Sequence, residues 1–307
     1  MPHRFDHRFR DMRRRFFALL LLLVSLPCFA QQLLLPDKPD ALRFAIIGDN
    51  GTGGKAQYAV ARQMVEWRTK FPFDFVLMMG DNLYGGQSPR NFERKFEIPY
   101  KPLLDAGVKF YATLGNHDDA NQRFYKYFNM NGERYYTFRP KLGIRFFVLD
   151  SNYVDREQFA WLQEQLRSSG SEWKICFFHH PLYSSGDRHG SDLELRAILE
   201  PVFVQFGVSV VFSGHEHFYE RIKPQKNIYY FISGAAGQLR RGNIQKTDLT
   251  AKGFDQDNHF VILEIAGDEM FFQTISRTGK TVDSGVIQRP NGNSKAGAEL
   301  TQVGIRK

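Results

Sequence analysis

Six short apolar runs, at residues 42–47, 75–79, 108–114, 144–149, 173–178 and 208–212, punctuate the first two thirds of the chain. Most are continuous rather than alternating, as expected of strands buried on both faces in a layered α/β domain. Helix-period segments lie between them. Residues 55–70 place Ala56, Val60, Met64 and Trp67 at helical spacing. Residues 155–169 open with a capping pattern of Asp155 and Gln158, carry Phe159, Leu162 and Leu166, and stop at Gly170. After Gly214 the texture changes to IYYFISG, HFVILEIAG and EMFFQTISRTG, which predict successive strands of an antiparallel meander forming a second sheet packed on the first. No repeat or linker divides the chain, so a single domain is expected over residues 42–288, after a linker at 31–41. Residues 289–307 are polar, glycine-rich and aperiodic, and predict a flexible C-terminal tail.

The first thirty residues read as a signal peptide. A basic stretch through Arg15 precedes the apolar FFALLLLLVSLP, and CFA offers a small residue at the cleavage position. The apolar run falls short of the roughly 20 residues that a spanning helix needs. Export, to a periplasm or the medium, follows, with no stable membrane insertion after cleavage. Pro27 before Cys28 disfavours a lipoprotein signal, and Met12 beside Arg13 and Arg14 weakens a twin-arginine one.

Removing that leader lowers the formal charge from +8 to +4, so much of the basicity belongs to the leader. The remainder mildly favours anionic substrates, but no run of basic residues interleaved with aromatics suggests nucleic-acid binding. Only Cys176 remains in the mature chain, which excludes an intrachain disulfide and leaves stability to the core.

Polar chemistry gathers where these strands end. IIGDNG supplies Asp49, MMGDNLY supplies Asp81 and Tyr84, TLGNHDD supplies Asn116 and His117, FFHHP supplies His179 and His180, and FSGHEH supplies His215 and His217. Loops beyond the carboxyl ends of strands are where α/β sheets carry their sites. Four of these groups follow a glycine, expected to let the backbone turn sharply. Of the seven histidines after the leader, five lie in these loops, His189 is nearby and only His259 lies elsewhere. A lone GD or GN is ordinarily a turn. Seven mixed oxygen and nitrogen donors exceed one tetrahedral zinc and suit two ions sharing a carboxylate.

The ordered set GDNG, GDNLY, GNHD, HHP and GHEH resembles the calcineurin-like metallophosphoesterase superfamily. Tyr84, three residues after Asp81, narrows the resemblance to the purple acid phosphatases, including the tartrate-resistant type. HHPLYSSG and GHEHFYER look especially like segments of that group. The wider superfamily usually has a histidine two residues after the first aspartate; here Gly51 stands there and Tyr84 replaces the donor. The resemblance implies a four-layer α/β fold, two mixed β-sheets flanked by helices. It assigns one metal to Asp49, Tyr84, His217 and bridging Asp81, and the second to Asp81, Asn116, His179 and His215. A phenol, with a reference pKa of about 10, ionises at neutral pH only beside a strong cation, which argues for Fe(III) at the Tyr84 site. The Asn116 site takes a divalent Fe, Zn or Mn. His179 is preferred over His180 because the family ligand lies two residues before the proline; His180 then lines the pocket or packs beneath it.

The implied activity is hydrolysis of small phosphate monoesters by direct attack of a metal-activated hydroxide, without a phosphoenzyme. His117 or His189 would protonate the leaving group, and Asn116, His117, His180 and His189 would face substrate. Glu216 invites comparison with H-E-x-x-H zinc proteases, but its flanking histidines are two apart rather than four, so it is expected to point away from the metals. A phosphodiesterase or nucleotidase of the same superfamily and a noncatalytic metal- or phosphate-binding protein are the alternatives. A P-loop fails because Ala56 follows Lys55, where Ser or Thr must reach magnesium.

Overall fold

The apolar runs become the inner strands of two facing sheets. In the computed structural model, which describes residues 32–290, β1 (Leu42–Ile47), β2 (Phe75–Met78) and β3 (Lys109–Ala112) are parallel. The second sheet begins with β4 (Tyr136–Lys141), β5 (Ile144–Val148), β6 (Trp173–Phe177), β7 (Val210–Ser213), β8 (Tyr219–Ile222), β9 (Tyr229–Ser233) and β10 (Thr250–Phe254). Its order is β10-β8-β9-β7-β6-β5-β4, parallel through β5, β6, β7 and β9. The chain then returns to the first sheet as β11 (His259–Ala266), β12 (Glu269–Ser276) and β13 (Thr281–Gln288), giving the order β13-β12-β11-β1-β2-β3.

This return corrects the meander expected after Gly214. The IYYFISG strand, β9, is parallel to β7 in the second sheet, whereas HFVILEIAG, β11, pairs antiparallel with β1 in the first sheet and EMFFQTISRTG, β12, pairs antiparallel with β11. The two parallel groups expected in one sheet are divided between two. Apolar periodicity marks a strand as buried but does not name its neighbour, because hydrogen-bond pairing is sequence-blind.

Alternate side chains explain the continuous apolar runs. Phe44 and Ile46 point between the sheets with Phe75, Leu77, Phe146, Ile175, Phe177 and Phe212. Ala45 and Ile47 point the other way, into a core shared with the helices α1 (Lys55–Arg68), α2 (Pro89–Phe92) and α3 (Ile98–Asp105), from which Val60, Met64, Trp67, Tyr100 and Leu103 pack. On the other sheet, Phe147, Cys176 and Phe178 meet α4 (Arg156–Arg167) and α5 (Leu193–Phe206) through Leu162, Leu166, Leu199 and Phe203. The result is a helix, sheet, sheet, helix sandwich, as the four-layer expectation has it. Asp155 caps α4, accepting from the Gln158 N–H at 2.7 Å.

Part of the segment read as a linker is docked on the first sheet: Leu34 donates to Gln273, Asp37 and Lys38 donate to Glu264, and Leu35 is buried. Arg289, where the tail was expected to start, pairs with Asp268 at 2.5 Å. The expected signal peptide, and the expected tail from residue 291, lie outside the described residues. Among the described residues, no helix is long and apolar enough to cross a membrane.

Candidate metal centre

The carboxyl ends of β1, β2, β6 and β7 and the loop after β3 converge, and all seven expected donors arrive at one place. Tyr84 Oη lies 3.3 Å from Asp49 Oδ1 and 3.4 Å from His217 Nε2, and the last two are 3.4 Å apart. Asn116 Oδ1 lies 3.0 Å from His179 Nε2 and 3.1 Å from His215 Nδ1, which are themselves 3.1 Å apart. Asp81 groups with Asp49 and His217, and its Oδ1 is also 3.5 Å from His179 Nε2. Donors about 2.0–2.2 Å from a shared ion sit roughly 3.0–3.5 Å from one another, by the geometry of tetrahedral and octahedral edges. Two triads of donors with Asp81 between them therefore have the spacing of two ion sites.

The donors turn the chain themselves. Asp49, Asp81 and His215 hold left-handed backbone, with φ of 52°, 51° and 68°. That conformation is uncommon outside glycine and tolerated best by Asn, Asp and His. Of the glycines before donors, Gly80 turns the chain as expected, with φ of 85°, whereas Gly115 and Gly214 serve close approach. A Cβ on Gly115 would stand 2.2 Å from Asp81 Oδ1, and one on Gly214 would stand 2.5 Å from Asp49 Oδ2.

Electrostatics point the same way. Burial, and then the charge of Asp81, pushes the Asp49 carboxyl well above the usual carboxylate range. Burial, and then His180, holds His179 well below its usual value. His215 is pushed down to about 2 by burial and then by His179, and His217 to about 4 by burial and then by Arg240. Burial and the charges of Asp49 and Asp81 push the Tyr84 phenol up. Neutral imidazoles with free lone pairs beside crowded acids are the condition that a multivalent cation relieves. The donor set therefore fits two metal ions.

His179 and His180 have different partners. His179 donates from Nδ1 to the Met79 carbonyl at 2.8 Å, leaving Nε2 to the donor cluster. His180 places Nδ1 2.9 Å from Ser151 Oγ, and its ring lies 4.5 Å from that of His215. His180 also falls within reach of the His179 and His215 nitrogens, so the same place offers an imidazole beside the Asn116 amide. The two proton-donor candidates flank opposite sides: the His117 ring is 5.0 Å from Tyr84, and the His189 ring is 4.3 Å from His215. Both are exposed.

Two carboxylates that sequence reasoning left without a role strap the loops together. Asp118, in GNHDD, accepts from the backbone of Asn82, Leu83 and Gly115 at 2.9–3.0 Å, joining the Asp81 and Asn116 loops. Glu216 is fully buried and points away from the donors, as expected. It accepts from Gly190 N–H at 2.8 Å and from the Asn243 amide at 3.3 Å. A cavity of about 570 Å³ bordered by Lys174, Ser209 and Ile228 lies at the opposite strand ends and holds none of these donors.

Comparison with known proteins agrees with this geometry. Residues 42–219 match the calcineurin-like phosphoesterase family model. The chain is 30% identical over 261 residues to purple acid phosphatase 17 of Arabidopsis thaliana, covering 72% of this chain and 76% of that one. It is 26% identical over 306 residues to human tartrate-resistant acid phosphatase type 5, covering 82% of this chain and 94% of that one. Among solved structures, an anchor protein of the Plasmodium inner membrane complex shares the fold with a TM-score of 0.74 at 19% identity, over 82% of this chain and 90% of that one. With its donors in two adjoining triads and its homology to these phosphatases over most of its length, the chain belongs to the calcineurin-like phosphoesterase family, on the purple acid phosphatase branch.

Proposed function

We propose that the protein is a binuclear-metal acid phosphatase that hydrolyses small phosphate monoesters. The observation that carries this reading is the pair of donor triads sharing Asp81, in a chain homologous to phosphatases. Asp49, Tyr84, His217 and Asp81 would hold one ion, and Asp81, Asn116, His179 and His215 the other. Tyr84 supports Fe(III) at the first site, because its phenol is pushed up by burial and two carboxylates and ionises only against a high charge. Imidazole, amide and carboxylate at the second suit a divalent Fe, Zn or Mn.

Ions held by these residues would supply Lewis acidity toward water and a phosphoryl oxygen, and positive charge opposite that developing at phosphorus. The chain's own residues supply orientation and protons. His179 is aimed by the Met79 carbonyl, and Asp49 Oδ2 accepts from the His215 N–H at 2.9 Å, which fixes the carboxylate while Oδ1 faces Tyr84 and His217. His117, beside Tyr84, or His189, beside His215, would protonate the leaving alkoxide. His180 and Asn116 complete the surface that meets the ester.

Asp81→Ala tests the reading, since it removes the carboxylate common to both triads. The purified variant is expected to lose phenyl phosphate hydrolysis by about a thousandfold, together with bound metal. Full retained activity overturns the hydrolase reading. A wild-type preference for the phenyl diester over the monoester would instead select the phosphodiesterase alternative.

A further inference from the structure

Two loops that carry no expected metal donor are fastened at the rim of the centre. Residues 184–190 bear Arg188 and His189; residues 237–245 bear Arg240. They are joined to each other by Asp187 N–H donating to the Asn243 carbonyl at 2.9 Å, Gln245 N–H donating to the Ser185 carbonyl at 2.8 Å, and a Gly186–Ile244 bridge. Beneath them lie two fully buried glutamates of the GHEHFYER stretch. Glu216 holds Gly190 N–H and the Asn243 amide, and a Cβ on Gly186 would stand 2.1 Å from its Oε1. Glu220 accepts from Ser185 N–H at 2.9 Å and from the Thr250 hydroxyl at 2.5 Å. Buried charged acceptors holding backbone donors are strong anchors, so the loops have a set position.

What they position is positive charge that enters no ion pair among the described residues, with the Glu216 carboxylate opposing Arg240 from beneath. Arg240 is tied by its backbone N–H to the His217 carbonyl at 2.9 Å. Its guanidinium is partly buried, and Nη1 is buried without a hydrogen-bond partner. Neither Arg188 nor Arg240 belongs to any of the ion pairs among the described residues, and the neighbouring Asp187 does not pair with them. Burial, and then Arg188, disfavours the charge of Arg240, and both arginines depress His189, after burial. With one buried N–H unpartnered and no ion pair among the described residues, Arg240 offers an anionic group at this rim a charged donor.

We propose that Arg188, His189 and Arg240, held by Glu216 and Glu220, form a second anion subsite beside the metal centre, so that preferred substrates carry a second phosphate or carboxylate on the alcohol being released. This rests on the phosphatase reading and specifies its substrate class. The scissile phosphoryl lies at the metal donors, and the second anion lies over the His189 flank. Arg240 is the principal specificity residue because its backbone is fixed to a donor strand; Glu216 and Glu220 are positioning residues.

Matched substrate pairs in the metal-loaded full-length enzyme test it. 3-Phosphoglycerate is compared with glycerol 3-phosphate, and propane-1,3-diol bisphosphate with the monophosphate; the first pair probes a carboxylate and the second a phosphate. In at least one pair, kcat/KM for the doubly anionic member is expected to exceed that for its partner by about tenfold. Arg240→Gln should bring that ratio close to one, acting through KM, and Arg240→Lys should restore part of it. Metal content measured alongside shows that the centre is intact. Ratios near one in both wild-type pairs, or a raised ratio unchanged in Arg240→Gln, overturn the subsite. Failure of the loaded enzyme to hydrolyse any of the four esters would instead overturn the phosphatase reading.

Discussion

Tyr84 departs from the wider superfamily pattern, and its neighbours make that departure testable. Its oxygen stands 3.3 Å from Asp49 Oδ1 and 3.4 Å from His217 Nε2. A bound Fe(III) would convert the phenol to a coloured phenolate, so the loaded protein is expected to be violet. Tyr84→Phe should lose that absorption while keeping its circular dichroism and its second metal. A colourless wild type with two divalent ions would rule out this ligand. The donor residues were legible in the sequence because each stands in a short motif at a strand end. Asp118 and Glu216 stood in the same motifs, but straps are defined by the loops they hold, and those loops are far away along the chain: Asn243 is 27 positions from Glu216. Arg240 lies in no motif and was invisible for the same reason.

At the level of elements, strand ends and loops from both sheets must interlock to within a few tenths of an ångström. Gly115 shows how little room remains, since a Cβ there would stand 2.2 Å from Asp81 Oδ1, well inside van der Waals contact. Gly115→Ala is therefore expected to displace the shared carboxylate and lower metal affinity by about a hundredfold while costing about 1–3 kcal/mol of stability. Metal titration of the purified variant checks this, and wild-type affinity would show that the loop yields freely. The glycine was visible in the sequence, but its reason was not. It was expected to supply a turn, whereas Asp49, Asp81 and His215 take the left-handed backbone themselves. Local sequence offers either explanation, and only the approach of another strand end distinguishes them.

Across the whole molecule, burial makes stability depend on acid. His259 is fully buried in β11, with Nε2 3.1 Å from Ser233 Oγ, and burial pushes its value down to about 3. The unfolded chain takes up this proton near pH 6.5, whereas the folded chain resists it until about pH 3. Its contribution is thus complete above pH 6.5 and is lost progressively as pH falls toward 3. Between pH 7 and 5 the loss amounts to about 2 kcal/mol. Urea denaturation at those two pH values should show that drop, and His259→Gln should reduce it; equal slopes would exclude the histidine as its source. The sequence by itself determined the buried strands, their helical cover and the donor residues, because burial pattern and strand-end chemistry are local properties of the chain. Only the tertiary structure decided which sheet each strand joins, that six donors form two adjoining triads with Asp81 between them, and that two buried glutamates carry the arginine loops to their rim. Those outcomes depend on packing between segments distant in sequence, and no local pattern encodes which distant segment will supply the partner.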